Sequence, residues 1–211
     1  MKEPGRQNAR VRDMTAGDPI RLILAFAVPL FLGNIFQQVY TMIDTMVVGY
    51  FIGDDAISAI GASSSLYNLL MNLAISMNSG YAIITTQAFG ARDGQRLRHA
   101  VAGTLVLNGA ATVLLTVLAV VFLRPLLRFM NTPESIFEQA YLYIFILCAG
   151  LFSTIGYNMF AGILRAVGNS RTPLYFLIVS SVLNVVLDLV FVAAIPLGVA
   201  GAALATVIAQ T

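Results

Sequence analysis

Long apolar runs separated by short polar breaks constrain this 211-residue chain more than any other feature of its sequence. The hydrocarbon core of a bilayer is about 30 Å thick, so a helix needs about 20 apolar residues to cross it. Read in windows of that length, the sequence contains five complete spans and a shorter sixth. We therefore predict an all-α polytopic membrane helix bundle, with helices at about 20–50, 56–88, 97–123, 135–164, 173–194 and 199–211.

Composition supports lipid as the main solvent of this chain. Hydrophobic residues make up 58% of the sequence and charged residues only 10%. A soluble domain typically carries about 25% charged residues. A chain so poor in charge would precipitate in water, so lipid must cover most of its surface.

The sixth apolar run begins near Val199 and has only about 13 residues before Thr211. At a rise of 1.5 Å per residue such a helix is roughly 20 Å long, too short to span. We therefore expect a six-helix lobe over residues 19–211 whose sixth helix is truncated. A polar tail, residues 1–18, precedes that lobe.

Basic residues are divided unevenly between the two sides of the predicted bundle. Only Arg124 and Arg128 fall on one side, whereas ten Lys and Arg residues fall on the other. Cytoplasmic loops of membrane proteins carry the excess of Lys and Arg, so the N-terminal tail is predicted to be cytoplasmic. The ten residues are Lys2, Arg6, Arg10, Arg12, Arg21, Arg92, Arg96, Arg98, Arg165 and Arg171.

Two acidic residues, Asp44 and Asp188, lie inside apolar runs, whereas the others lie in the tail, in loops or at helix ends. A carboxylate within a lipid-spanning helix costs roughly 3 kcal/mol on insertion scales. Such residues face a protein interior or a water-filled cavity, and they suggest a site for ions or protons. Asn184 lies one turn before Asp188 on the same helical face and can bond to its carboxyl group in either protonation state.

The two aspartates leave the nature of the ion open. Burial disfavours the charged form of a carboxyl group, and a second carboxylate nearby disfavours it further. If Asp44 and Asp188 face each other, at least one could take up and release a proton near neutral pH. The pair could equally hold a monovalent cation together with amide, hydroxyl and carbonyl oxygens.

Polar stripes follow the first two helices. The stripe on helix 1 occupies about a third of the circumference, and the face on helix 2 is narrow enough to line a wet cavity or to pack closely. Such stripes also serve as interhelical hydrogen-bonding glue in membrane bundles, although glue rarely needs a charge such as that of Asp44. Pro29 removes a backbone hydrogen bond and predicts a kink or hinge in helix 1. The helix 1 stripe is Asn34, Gln37, Gln38, Thr41 and Asp44, and the helix 2 face is Ser65, Asn68, Asn72, Ser76 and Ser79.

Several classes of function find no support in the sequence. The single cysteine, Cys148, excludes an internal disulfide and a multi-cysteine metal site. The single histidine, His99, sits beside a basic loop. No pairing of a nucleophile with a base, no metal-ligand cluster and no phosphate-binding glycine loop is recognisable. We therefore expect no enzymatic activity, no cofactor and no nucleic-acid partner.

Six segments in order along the chain resemble those of a known family. They are MTAGDPI (14–20), AVPL (27–30), DTMVVG (44–49), LRAVGNSRTP (164–173), NVVLD (184–188) and GVAGAA (198–203). Together they are similar to the N-terminal lobe of prokaryotic multidrug and toxic compound extrusion (MATE) transporters, over essentially the whole chain from Met14. Members of that family have twelve helices in two six-helix lobes, and they export cationic or amphipathic organic compounds in exchange for protons or sodium ions.

The resemblance implies a location and partners for this chain. It implies the plasma membrane of a prokaryote, a small cationic or amphipathic substrate, and a missing C-terminal lobe. It also implies a set of site residues. Asp44, Asn184, Asp188 and Thr206 would form a proton or sodium site, Gln37, Tyr143 and Asn158 the surrounding polar network, and Pro29 the bending point of helix 1.

Two alternatives remain beside the exporter. A flippase for lipid-linked saccharides has a related fold, but its cavity would be expected to offer cationic groups to a pyrophosphate, and no Lys or Arg lies mid-helix. A non-transporting membrane fragment or assembly module would use the polar stripes for helix packing alone.

Overall fold

The computed structural model describes residues 18–211, and they form an all-α bundle, as the sequence predicts. The predicted tail, residues 1–18, lies outside the described residues except for Asp18. The helices are α1 (Pro19–Phe51), α2 (Asp54–Gly90), α3 (Gly94–Phe129), α4 (Glu134–Ala149), α5 (Leu151–Ala166), α6 (Arg171–Asp188) and α7 (Val199–Ala209). A π-helical turn (Leu189–Ala194) continues α6 directly.

Capping side chains account for helix starts earlier than the apolar runs indicate. The Asp93 carboxylate accepts hydrogen bonds from the backbone N–H groups of Gln95 and Arg96, at 3.1 and 2.9 Å. An aspartate at this position satisfies donors that the first helical turn leaves free. For this reason α3 begins at Gly94 rather than near residue 97, and the break before it is short.

Several of the helices are suited to crossing a bilayer. Among the described residues α1, α3 and the unit Arg171–Ala194 are each long and apolar enough, and α4 with α5 forms a fourth span bent by 47°. The helix α2 has 37 residues, enough to cross, but it does not join this group, because serine and asparagine residues occupy one of its faces. The sequence prediction counted it as a complete span on length and apolar content.

The bend between α4 and α5 lies at Gly150, within a stretch that the sequence predicts as one helix over 135–164. Gly150 ends α4 and begins α5, with φ −84° and ψ 1°. Its N–H donates to the Ile146 carbonyl at 3.0 Å, and its own carbonyl accepts from Ser153 N–H at 3.0 Å. The backbone bonds therefore continue locally while the axis changes direction.

Packing is concentrated on one side of the bundle. The helix α2 lies against α3, α4 and α5, while α7 lies against α4 and α6. The helix α1 packs mainly against α6, far away in sequence, and Gly33 and Val48 are its buried residues. The outward faces of α1 and α3 expose many large apolar side chains, as a surface in contact with lipid requires.

Two amides join α2 to α3 inside the bundle. Asn78 and Asn108 are both buried, and the Asn108 amide nitrogen donates to the Asn78 side-chain oxygen. The Thr112 hydroxyl donates to the Asn108 carbonyl at 2.7 Å. Asn78 Nδ2 has no hydrogen-bond partner among the described residues. This polar contact lies deep in a packed interface and involves neither Asp44 nor Asp188.

The π-helical turn determines how α7 meets α6. At its C-terminal end the N–H of Ile195, the residue after the turn, donates to the Val190 carbonyl, five residues back, at 2.8 Å. A Cβ at Gly201 would lie 2.7 Å from the Phe191 carbonyl oxygen, so the start of α7 rests directly on the backbone of the turn. Gly198, with φ 61°, supplies the change in direction between them.

Candidate cation-binding site

The packing of α1 on α6 brings Asp44 and Asp188 together in the lobe. A Cβ at Gly33 would lie 3.4 Å from Leu177 and 3.6 Å from Leu174, both on α6, so this part of α1 lies in van der Waals contact with α6. Asp188 is 0% exposed. Asp44 is half-buried, and its Oδ1 atom is inaccessible to solvent. The two carboxyl groups lie close enough to interact directly.

Three of the four oxygen atoms of this carboxyl pair have no hydrogen-bond donor among the described residues. Neither oxygen of Asp188, nor Oδ1 of Asp44, accepts a hydrogen bond within the described part of the chain. Two ionised carboxylates are acceptors only and repel each other. A proton shared by the two groups, or a cation between them, would relieve that repulsion.

Asn184 and Thr206 add further oxygen atoms beside the pair. The Asn184 amide nitrogen donates to Thr206 Oγ1 at 3.4 Å, and the Thr206 hydroxyl donates to the Ala202 carbonyl at 3.1 Å. The side-chain oxygen of Asn184 is buried and accepts nothing from the residues described. Ser181, one turn before Asn184 on α6, has a buried hydroxyl in the same condition. Carboxylate, amide and hydroxyl oxygens are hard donors of the kind that alkali and alkaline-earth cations prefer.

The residues assigned to a surrounding network differ in their placement. Tyr143 is buried on α4, within electrostatic range of both aspartates. Asn158 donates to the Thr154 carbonyl of its own helix at 2.8 Å, and Asn158 Nδ2 is thereby directed to its own backbone. Gln37 is exposed on α1, and its backbone carbonyl accepts from the Thr41 hydroxyl at 2.9 Å. Of the three, Tyr143 is the residue that the structure places near both aspartates.

Pro29 lies inside α1, which runs through it as a single helix from Pro19 to Phe51. The proline ring leaves the carbonyl four residues earlier without its helical donor. A hinge at this point stays a prediction, because one arrangement of α1 is described.

Positive charge lies at the ends of the helices, away from the aspartates. Arg124 forms an ion pair with Glu138 at 3.4 Å and stacks over the Tyr141 ring at 4.5 Å. Arg128 lies 5.9 Å from the centre of the Phe137 ring, at the same end of the bundle. Within residues 18–211, no group of three or more His, Cys, Asp or Glu side chains is placed to hold a metal ion.

Sequence reasoning proposed the aspartates and Asn184 as site residues but gave Ser181 no role. A single hydroxyl in an apolar helix is common, so only the three-residue spacing from Asn184 could have indicated it. The pairing of Asn78 with Asn108 was also missed. Asn78 lies off the polar face of α2, so periodicity along that helix gave no reason to pair it with α3.

Comparison with known proteins places these features in a family. The family model MatE matches residues 29–190. The "Probable multidrug resistance protein YoeA" of Bacillus subtilis is 36% identical over 192 residues, covering 89% of this chain and 42% of that protein. The "DNA damage-inducible protein F" of Escherichia coli is 31% identical, covering 87% of this chain and 40% of that protein.

Solved structures agree with the sequence matches. The "Outward-facing conformation of a multidrug resistance MATE family transporter of the MOP superfamily" superposes with a TM-score of 0.87 at 28% identity, covering 92% of this chain and 43% of that one. The "Crystal structure of MATE in the bent conformation" gives a TM-score of 0.85 at 28% identity. The chain spans less than half the length of the curated relatives that it matches.

These matches bear on the predictions made from the sequence. The family consists of membrane transporters and not of enzymes, in agreement with the expectation that the chain has no catalytic function. The bacterial relatives are multi-pass membrane proteins, in agreement with the predicted polytopic bundle. With a family model covering residues 29–190 and the fold shared by solved transporters, the chain belongs to the MATE family of multidrug efflux transporters.

Proposed function

We propose that this chain forms the N-terminal half of a secondary active transporter, which exports cationic or amphipathic organic compounds in exchange for protons or sodium ions. The observation that carries the proposal is the close approach of Asp44 and Asp188, in which neither Asp188 oxygen nor Asp44 Oδ1 has a hydrogen-bond partner among the described residues. The names of the relatives, which include the "Multidrug export protein MepA" of Staphylococcus saprophyticus, support the export of drugs.

The coupling ion binds between the two carboxyl groups. A proton would convert one carboxylate into a donor for the other. A sodium ion would instead take oxygens from Asp44, Asp188, Asn184 and Thr206. Both ions neutralise the repulsion across the interface of α1 and α6, so the chemistry of the site supports either.

Ion binding acts on α1 because this long helix buries few of its residues against the rest of the bundle. Its buried residues are Gly33 and Val48, whereas the much shorter α4 buries seven. When both aspartates are ionised, their repulsion pushes α1 away from α6. When an ion is bound, the two helices close, and bending near Pro29 lets the end that carries Asp44 move. Such a change is driven by the ion only if its affinity differs between the two arrangements.

The substrate binds on the polar faces of α1 and α2. Side chains on these faces are exposed, and exposed amides and hydroxyls at membrane depth are unfavourable against lipid. They suit a wet cavity, which a second lobe on the remaining length of the protein completes. The exposed residues are Asn34, Gln37, Gln38, Ser65, Asn68, Asn72, Ser76 and Ser79.

Neutralising substitutions in the complete protein test the proposal. Asp44→Asn and Asp188→Asn keep side-chain size but remove the charge, so each variant is expected to abolish resistance to a cationic dye such as ethidium. The amount of protein in the membrane should stay unchanged. Asp55→Asn, at the exposed start of α2, is the matched control and should confer wild-type resistance.

Wild-type resistance in both the Asp44→Asn and the Asp188→Asn cells would refute the proposal. Transport assays in membrane vesicles distinguish the two candidate coupling ions. A proton gradient and a sodium gradient are imposed one at a time. Dye movement driven by only one of them identifies the ion.

We also propose that the first described helix starts at the cytoplasmic face of a prokaryotic plasma membrane. The support is the arginine distribution, with Arg92, Arg96 and Arg98 at one end of the bundle and Arg124 and Arg128 at the other.

Labelling of introduced cysteines tests this orientation, because the natural Cys148 is buried. A membrane-impermeant maleimide should label Ser135→Cys in intact cells, but Gln95→Cys only after permeabilisation. The reverse labelling pattern would show that the first described helix starts at the opposite face of the membrane.

A further inference from the structure

The C-terminal end of α7 is seated in the bend between α4 and α5. A Cβ at Gly150 would overlap Val207 Cγ2, and it would lie 2.7 Å from Val207 Cγ1 and 3.0 Å from Val207 Cβ. The φ of Gly150 is −84°, so its backbone conformation is open to other residues. Glycine is therefore needed here for space rather than for conformation.

Val207 cannot make room by turning its side chain. A β-branched residue in a helix has one strongly preferred χ1 rotamer, and its Cβ is fixed to the helix backbone. The contact at 3.0 Å with that Cβ remains in any rotamer. A methyl group at position 150 must therefore displace α7 itself or change the bend of 47° between α4 and α5.

Polar contacts hold the same end of α7 to its neighbours. The Ser180 hydroxyl on α6 donates to the Ala209 carbonyl at 2.6 Å. On α5, the Thr154 hydroxyl donates to the side-chain oxygen of Gln210. These bonds fix the rotation of α7 about its axis, while the contact at Gly150 fixes its distance from α4 and α5.

The contact between Gly150 and Val207 positions a residue of the cation site, because Thr206 directly precedes Val207. The bond from Asn184 Nδ2 to Thr206 Oγ1 is 3.4 Å long, at the far limit for an N–H···O hydrogen bond. A displacement of α7 by a few tenths of an ångström would break it. Asn184 would then lose the contact that orients its amide one turn before Asp188.

We propose that Gly150 is a positioning residue for the cation site. It touches neither the ion nor the aspartates, and it acts by seating α7 so that Thr206 meets Asn184. This inference rests on the proposed function, since it assumes that an ion binds at Asp44 and Asp188.

The experiment measures ion binding by Gly150→Ala in the complete purified protein. The midpoint of thermal unfolding is followed against sodium at constant ionic strength, with choline as the replacement, and against pH in sodium-free buffer. A bound ion raises the midpoint with a concentration dependence that reports its affinity. We expect Gly150→Ala to weaken the apparent affinity for the coupling ion about five-fold, as for the loss of one hydrogen bond.

Three companion variants make the result specific. Gly156→Ala lies on α5, where a Cβ meets no atom within 4 Å, and should keep the wild-type affinity. Gly150→Ala combined with Val207→Ala removes the two closest contacts and should restore most of the affinity. Asp188→Asn should abolish the ion response altogether. A structural role alone would lower the midpoint without ion and leave the affinity unchanged.

The outcomes separate the two proposals. If Asp188→Asn keeps the ion response, the proposed function is wrong and this inference falls with it. If Asp188→Asn loses the response but Gly150→Ala binds the ion as the wild type does, only the inference is overturned. If Gly150→Ala does not fold, the variant that combines Gly150→Ala with Val207→Ala is decisive. A folded double variant with near wild-type affinity supports the positioning role of Gly150, and any other result overturns it.

Discussion

Replacing Asn108 by leucine is expected to destabilise the bundle by roughly 2 kcal/mol, because it leaves both polar atoms of the Asn78 side chain without a partner. In the wild type the Asn78 oxygen accepts from Asn108, and only its nitrogen is unpaired among the described residues. Each buried polar group left unpaired costs about 1–3 kcal/mol. Leucine has nearly the shape of asparagine, so the loss of pairing dominates the change.

The reciprocal change should behave differently. Asn78→Leu leaves the Asn108 nitrogen unpaired but removes the Asn78 nitrogen that was unpaired before, so its net effect should be near zero. The double variant removes both unpaired polar atoms of the Asn78 side chain and should be more stable than Asn108→Leu by roughly 4 kcal/mol. Adding Asn78→Leu to the Asn108→Leu protein is thus expected to raise its stability.

Reversible unfolding in mixed detergent micelles, followed by helical circular dichroism, measures all four proteins of this cycle. The matched comparison is Asn72→Leu, on the exposed face of α2, which should not depend on residue 108. If Asn78→Leu fails to raise the stability of Asn108→Leu, the account of the paired amides is refuted.

Two further predictions follow from local geometry. Gly201→Ala should destabilise by about 1–3 kcal/mol through overpacking, because its Cβ would meet the Phe191 carbonyl oxygen at 2.7 Å. Gly103→Ala, whose Cβ meets nothing within 4 Å, should stabilise by about 0.5–1 kcal/mol, and equal effects of the two in thermal unfolding would contradict the argument. Asp93→Ala should cost about 1 kcal/mol by removing the cap of α3, with Asp93→Asn close to the wild type in the same measurement. An unchanged midpoint for Asp93→Ala would show that this cap is dispensable.

The sequence predicts the helices well because apolar runs and polar breaks are strong signals in a membrane chain. It misses the division at Gly150, since a single glycine between apolar residues does not differ from one tolerated inside a helix. It misses the π-helical turn for a similar reason, because LVFVAA (189–194) contains no glycine, proline or polar residue that would mark a change of helix type. Both features depend on α7 packing against them, which the local sequence does not reveal.

The candidate site is predictable in its residues but not in its contacts. Periodicity along one helix places Asn184 and Asp188 on the same face, and the cost of burying a charge singles out Asp44. That Asp44 meets Asp188 depends on the packing of α1 against α6, a property of two helices together. Periodicity likewise could not tell that Asn158 bonds to its own helix.

The pairing of α1 with α6 has a consequence for biogenesis. About 140 residues separate Asp44 from Asp188, and synthesis at about 5–20 residues per second needs roughly seven to thirty seconds to make them. During that interval α1 must stay inserted with its carboxyl group unaccompanied, held by its own apolar residues. We expect nascent chains arrested before α6 to expose Asp44 to lipid-phase crosslinkers, and chains arrested beyond it to be protected.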